Sequence, residues 1–230
     1  MDLLKKGKTK NVFRNPDGTL LLCFKDDATG RDGIFDPGEN QIMGAITGKA
    51  RAGVRFSEYF FKKILAETNI PTHFISADPL TATMSVRPAT TFGDGLEIIC
   101  RPYATGSFYR RYGRYVEEGA YLNYLVEITL KDDERNDPPA TEDTLIKLKL
   151  LKPGEYDVLK DYAERITQIV MRELLEKDLL LYDIKFEFGF CDDQIALIDE
   201  ISPDCLRAYR GGERVENPLE LEKLFFVDET

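Results

Sequence analysis

The run Tyr182-Asp183-Ile184-Lys185-Phe186-Glu187-Phe188-Gly189-Phe190 carries the densest chemistry in the chain. Strand alternation puts Asp183, Lys185, Glu187 and Gly189 on one face and Tyr182, Ile184, Phe186, Phe188 and Phe190 on the other. The aromatic face belongs in a core. The charged face is either solvated sheet or a site, and this strand alone does not decide between them. A second strand, Ile195 to Glu200, returns after Asp192-Asp193-Gln194. A five-residue connection over 191–195 sets Asp199 directly across from Glu187; a four-residue one puts the pair on opposite faces. Facing carboxylates at ~5 Å weaken a bare hairpin. A Mg²⁺ ion between them reverses that sign, because hard cations take carboxylate oxygens while holding substrate phosphates.

Three other segments supply groups suited to phosphate. Ile201-Ser202-Pro203-Asp204-Cys205-Leu206-Arg207 delivers a hydroxyl, a carboxylate and a guanidinium just past that strand. Arg101-Pro102-Tyr103-Ala104-Thr105-Gly106-Ser107 ends in a glycine and a hydroxyl, and arginine is the natural bidentate phosphate donor. Gly7-Lys8-Thr9-Lys10 places a glycine turn and two lysines before a strand, where they could lie over nucleotide phosphates. Each of these, taken singly, also reads as an ordinary turn. Two nucleotide motifs fail. Gly44-Ala45-Ile46-Thr47-Gly48-Lys49-Ala50 is one residue short of a Walker loop and lacks its Ser or Thr, and Gly93-Asp94-Gly95 does not extend to a dinucleotide fingerprint.

Composition narrows the chemistry further. One histidine, His73, excludes multi-histidine metal sites, and its place in Ile70-Pro71-Thr72-His73-Phe74 reads as structural. Acid–base work then falls to carboxylates and lysines. Cys23, Cys100, Cys191 and Cys205 show no Cys-x-x-Cys spacing, so a zinc cluster is disfavoured and reduced thiols are expected. A net charge of −10 argues against binding nucleic acid in bulk. No apolar run reaches the ~20 residues of a membrane helix, and no secretory h-region follows Met1 to Lys10. A cytoplasmic protein without membrane partners is expected, and oligomeric state, homo-oligomer included, is left open. At 230 residues the chain forms one large domain or two joined lobes.

The elements that must hold these groups follow from periodicity. Strands are expected over 10–14 and 19–24, joined at Asn15-Pro16-Asp17-Gly18, then a long glycine-rich loop over 30–48. Phe56, Tyr59, Phe60, Ile64 and Leu65 mark a helix over 55–68, stopped by Asn69-Ile70-Pro71. Strands follow near 74–76, 83–87, 96–101 and 121–130, then a charged loop over 132–142 and a helix over 155–177. Strands gathered around two main helices imply an α+β fold with mostly antiparallel sheets, with a boundary between lobes near residues 76–95.

In order, these segments resemble the SAICAR synthetase (phosphoribosylaminoimidazole-succinocarboxamide synthase) family. The series is Gly7-Lys8-Thr9-Lys10, Phe24 to Thr29 with Asp32-Gly33, Ile70 to His73, Arg101 to Ser107 with Arg110-Arg111, Glu117-Glu118-Gly119 and Lys131 to Pro138. Asp183 to Gly189 and Asp199 to Asp204 with Arg207 complete it. The resemblance implies an ATP-grasp-like, two-lobed α+β fold, with residues 1–85 as a smaller lobe covering ATP and 86–230 as a larger lobe with the metal and ribonucleotide site. It implies ATP-dependent joining of L-aspartate to carboxyaminoimidazole ribonucleotide (CAIR) through an acyl phosphate, with ATP and Mg²⁺ as cofactors.

Carried over by position, Lys8 and Lys10 would cover ATP phosphates, and Glu187 and Asp199 would hold Mg²⁺. Arg101, Ser107 and Arg207 would grip the ribonucleotide phosphate. Lys131, Asp137 and Lys185 would surround the imidazole and reacting carboxylate, and Asp32 would sit on the glycine-rich loop near the aspartate or metal. The chain departs from the family where Arg-Leu-Trp-Asp becomes Arg207-Ala208-Tyr209-Arg210, where Arg-Asn becomes Arg101-Pro102, and where Gly-Lys-Gly becomes Gly48-Lys49-Ala50. The carboxy-terminal helix is also short. The alternative is a ligase or kinase of the same fold with a different carboxylate or amine acceptor.

Overall fold

The computed structural model describes residues 1–31, 34–36 and 41–227. The first part of the chain forms β1 (Asp2–Lys6), β2 (Lys10–Arg14), β3 (Leu20–Phe24), β4 (Asp27–Arg31), β5 (Ile34–Phe35), β6 (Ile42–Ala45), α1 (Lys49–Glu67), β7 (Phe74–Asp78) and β8 (Thr83–Val86). Next come β9 (Thr90–Thr91), β10 (Leu96–Tyr103), α2 (Gly106–Tyr112), β11 (Tyr121–Leu130), α3 (Glu142–Lys147) and α4 (Glu155–Leu175). The chain finishes with β12 (Leu180–Cys191), β13 (Gln194–Ile198), β14 (Leu206–Arg210), β15 (Glu213–Arg214) and α5 (Pro218–Phe225). No helix among the described residues is long and apolar enough to cross a membrane.

Among the described residues these strands form three antiparallel sheets. One runs β1-β2-β3-β8-β7, a second is the small β5-β4-β6 unit, and a third runs β11-β10-β12-β14-β15 with β13 and β9 also paired to β12. The expected glycine-rich loop is therefore partly sheet: β6 returns alongside β4, pairing Asp27 with Ala45 and Ala28 with Gly44. Glycines and a register shift after Ala28 hide the alternation there.

Helix α1 begins six residues before the expected start. Its cap is remote: Asp26 accepts from the Gly48 N–H at 3.1 Å and the Ala50 N–H at 3.0 Å. These are helix-start donors that a local Ser or Asp would normally satisfy. The opposite face of α1 is aromatic. Phe56 and Tyr59 pack on Phe225 with ring centroids 5.0 and 5.1 Å apart, tying α1 to α5. One buried apolar cluster runs from Leu22 through Phe60, Ile98 and Ile166 to Phe186 and Phe225, so α4 and α1 share a core with the sheets. Burying each such side chain contributes ~1.5–3 kcal/mol.

Strand β12 organises the rest. Ile184, Phe186 and Phe188 are 0–1% exposed and face that core, as the alternation requires. Tyr182 departs from it. The pairing with β14 slips between Leu181 and Asp183, so Leu181 takes the core side. Tyr182 instead stacks on Tyr209 at 3.6 Å and lies 5.0 Å from Tyr103.

One edge of β12 is split. Glu187 to Cys191 pair with β13, and Leu180 to Ile184 pair with β14, while β10 runs along the other edge. The chain leaves that edge after Ile198 and rejoins it at Leu206, with the Lys185 N–H donating to the Cys205 carbonyl at 2.8 Å in between.

Candidate active site

The β12–β13 connection is a two-residue turn, with Cys191 opposite Gln194 and both Asp192 and Asp193 at positive φ. Such backbone matches strand twist and suits the tightest hairpins. Neither connection length considered from the sequence applies. The observed register sets Glu187 opposite Ile198, which assigns Asp199 to the other face if the strand continued. It does not continue. Asp199 has φ +64°, ends β13, and lines the same cavity as Glu187. The two acids meet because of a backbone kink, not through cross-strand pairing.

That cavity, about 910 Å³, lies between the residue 5–10 segment and the split edge of β12. The segment turns tightly at Gly7, whose N–H donates to the Lys10 carbonyl at 2.9 Å. A Cβ on Gly7 would fall 2.6 Å from that oxygen, so the turn excludes any side chain there. The turn aims Lys10 inward: its Nζ lies 2.5 Å from Asp199 Oδ1 and also donates to Glu200 Oε1. Burial opposes the Lys10 charge, but Asp199 and Glu200 outweigh it and hold the amine well above its ordinary pKa. Burial would raise Asp199, yet Lys10 and Lys131 hold it down at about 2.

Glu187 behaves in the opposite way. Burial and the Asp199 charge raise its pKa, only partly offset by Lys131, which donates to Glu187 Oε1. Two half-buried acids that repel one another, in a cavity also lined by Lys8 and Lys10, fit a hard divalent cation that takes its remaining ligands from phosphates and water. Among the described residues no three His, Cys, Asp or Glu side chains form a ready-made cage. Mg²⁺ is a cation commonly held by one or two carboxylates plus substrate oxygens.

A second cavity, about 730 Å³, lies against the same strand. Asp183 is its hub. Asp183 accepts from Arg101 Nη1 at 2.6 Å and from Arg207 Nη1 at 2.8 Å. Arg101 also donates to Ser107 at 3.0 Å and to Glu127 at 2.6 Å, and Arg207 Nη2 reaches Asp36 at 2.6 Å. Gly106 makes room for this: at φ +54°, a Cβ there would come within 2.8 Å of the Arg207 guanidinium carbon. Arg207 Nε and Thr129 Oγ1 are buried without a hydrogen-bond partner, and both residues line this cavity. An unsatisfied buried polar group costs ~1–3 kcal/mol, while the arginine, lysine and carboxylate side chains that line the cavity suit a polar occupant.

Lys185 lines both cavities. Burial works against its charge, but Glu97, 2.7 Å away, more than compensates and holds its pKa up. Asp137 lines the second cavity, accepts from the Asp132 N–H at 2.8 Å and has φ +46°. Lys8 and Asp133 pair across the mouth shared by the cavities.

The expected residues thus fall into two adjoining groups. Lys10, Glu187 and Asp199 converge in the first cavity; Arg101, Ser107, Asp137 and Arg207 converge in the second. Lys131 lines the first cavity, beside the acids, while Lys185 lines both. Lys8 spans the mouth with Asp133. Asp32 lies outside the described residues.

The altered segment after Arg207 points elsewhere, since among the described lining residues neither Tyr209 nor Arg210 reaches either cavity. Several residues escaped the sequence reading: Asp183 as hub, Glu97, Glu127, Thr129, Glu200, and Lys49, which is 4% exposed and pairs with Asp204. For Asp183 and Glu97 a signal existed, since both share the strand face of Lys185 or its neighbour in β10.

Known proteins show the same architecture. The SAICAR synthetase family model matches residues 3–229. A phosphoribosylaminoimidazole-succinocarboxamide synthase of Clostridium tetani is 53% identical over 226 residues, covering 97% of this chain and 99% of its own. Among solved structures, a SAICAR synthetase (Type-2) in complex with ADP superposes with a TM-score of 0.84 at 26% identity, covering 97% of each chain. The SAICAR synthetase of Pyrococcus horikoshii OT3 superposes at 0.76 with 29% identity, covering 95% of this chain and 90% of that one. With a family match over nearly its whole length, a relative at this identity and a site assembled from the motifs themselves, the chain belongs to the SAICAR synthetase family.

Proposed function

We propose that the chain is an ATP-dependent ligase of purine biosynthesis that condenses CAIR with L-aspartate to give SAICAR, ADP and phosphate. The observation that carries this reading is Lys185, one half-buried cation lining both a cavity suited to phosphates and a cavity rich in arginine. A reaction between the γ-phosphate of one ligand and the carboxylate of another requires such a shared boundary. The ADP complex of the solved relative supports nucleotide binding in this fold.

In this reading Lys8 and Lys10 cover the nucleotide phosphates, and residues 1–85 act as a lobe over 86–230. Arg101, Ser107 and Arg207 take the ribonucleotide phosphate, and Asp137 and Lys185 orient the imidazole carboxylate. The carboxylate oxygen attacks the γ-phosphorus and ADP leaves. The aspartate amine then attacks the acyl carbon, phosphate leaves, and the nitrogen gives up a proton. Lys185 and Lys131 meet the negative charge that builds on the transferring phosphoryl group, a fixed electrostatic contribution that no solvent reorganisation has to supply. Glu187 and Asp199 would hold Mg²⁺, which when bound neutralises phosphate charge. Four unpaired cysteines support a reducing compartment, and we place the protein in the cytoplasm.

The test is ADP release by purified protein with Mg·ATP, CAIR and L-aspartate, omitting each in turn. Release that needs both CAIR and aspartate, with the product mass confirmed, is expected. Nucleotide binding with no CAIR-dependent release would instead point to a different acceptor.

A further inference from the structure

His73 is the single histidine of the chain and is 4% exposed. Its backbone is stitched to the end of β13: the His73 N–H donates to the Leu197 carbonyl at 3.0 Å, and the Leu197 N–H donates to the Pro71 carbonyl at 2.8 Å. The ring extends this by one step, with Nε2 3.0 Å from the Asp199 carbonyl oxygen. A carbonyl only accepts, so Nε2 carries the proton. Asp199 is the residue that needs holding. Its φ of +64° is a left-handed conformation that an aspartate tolerates at a cost. Relaxed to extended backbone, residue 199 would continue the strand alternation and send its carboxylate to the face opposite Glu187.

We propose that His73 is a positioning residue for the cation-binding carboxylates: by clamping the Asp199 carbonyl it keeps residue 199 kinked, so that its carboxylate shares a cavity with Glu187. His73 lines neither cavity and touches no reacting group, acting only through Asp199. The inference rests on the reading of Glu187 and Asp199 as Mg²⁺ ligands.

With one histidine, ¹⁵N-histidine labelling of tag-free protein gives a single imidazole to observe. A neutral, Nε2-protonated tautomer with a slowly exchanging N–H is expected; an Nδ1-protonated ring overturns the proposal. The second readout is Mn²⁺ binding to the ADP complex, followed by the paramagnetic resonance of free Mn²⁺. His73→Phe and His73→Asn should weaken it at least about tenfold while ADP affinity in chelator stays unchanged. His73→Gln, whose amide N–H can replace Nε2–H, should recover to within about threefold of wild type. Should His73→Phe fail to fold, the tautomer and the Asn and Gln variants decide. Wild-type Mn²⁺ affinity in folded His73→Asn overturns this inference alone. Failure of the wild-type ADP complex to hold Mn²⁺ overturns the metal reading and this inference with it.

Discussion

Lys10 Nζ lies 2.5 Å from Asp199 Oδ1, joining the first hairpin of the chain to a loop 189 residues further on. The same amine serves Glu200. Lys10→Met leaves the buried Glu200 and the half-buried Asp199 without this cation; removing one partner of a fully buried pair costs ~3–5 kcal/mol, and the partial exposure of Asp199 brings the expected cost below that. The expected outcome is a lower urea midpoint and ADP affinity reduced at least about tenfold, since charge-assisted hydrogen bonds contribute ~1.5–3 kcal/mol each. Calorimetry on the folded variant checks this, and unchanged ADP affinity would remove Lys10 from the phosphate site.

Glu187→Gln and Asp199→Asn separate folding from chemistry. Glu187 is destabilised as an anion by burial and by Asp199, so neutralising it should leave the melting temperature of the ligand-free protein level or higher. Turnover should fall at least about a hundredfold in either variant, the scale of losing a fixed charge contact in a transition state. Thermal melts and ADP-release assays read both. Wild-type turnover in either variant would sink the metal assignment.

His73 makes stability depend on pH. Burial lowers its pKa from 6.5 to about 4, with Asp199 opposing. The unfolded chain therefore takes up a proton near pH 6.5 while the folded chain resists until about pH 4. This contribution is complete above pH 6.5 and is lost as pH falls toward 4, by on the order of 3 kcal/mol. Urea midpoints of wild type against His73→Gln, at pH 7 and 4.5, isolate it. A pH-independent difference between the two would show that the imidazole is not held neutral.

The second cavity predicts a split in Michaelis constants. Arg207→Lys keeps a charge but loses the fork that holds Asp183 and Asp36 together. KM for the ribonucleotide should rise about tenfold or more, with KM for ATP nearly constant. Gly106→Ala should act in the same direction, because its Cβ would press on the Arg207 guanidinium at a positive-φ position. Equal changes in both Michaelis constants would mean that the two cavities are not separate sites.

The strands and long helices were legible because periodicity reports them directly. Phe56, Phe60 and Ile64 face the core as their spacing requires, and Lys185 and Glu187 take the site face of β12. What stayed hidden depends on distant partners. The start of α1 is set by Asp26, 22 residues before Gly48. The meeting of Glu187 and Asp199 depends on one φ angle, which no alternation pattern reports. Tyr182 was assigned to the core because a register slip after Leu181 leaves no mark in composition. The roles of Asp183 and Glu97 were obscured by their ordinary appearance as strand charges.

The loop over residues 199–205 is moored at both ends to one strand, at Glu187 through Ile198 and at Ile184 through Leu206. Seven residues thus span a gap that three strand residues, roughly 10 Å, would cover, and the slack is taken up by the Asp199 kink and the Ser202 turn. Both moorings being on β12, Lys185, Glu187, Asp199 and Arg207 travel as one plate whatever the rest of the chain does. The Gly7–Lys10 turn belongs to a different sheet and meets this plate through side chains, Lys10 reaching Asp199 and Glu200. Crystals with and without nucleotide should show spacings within the plate conserved and the spacing from Lys8 to Asp133 changed.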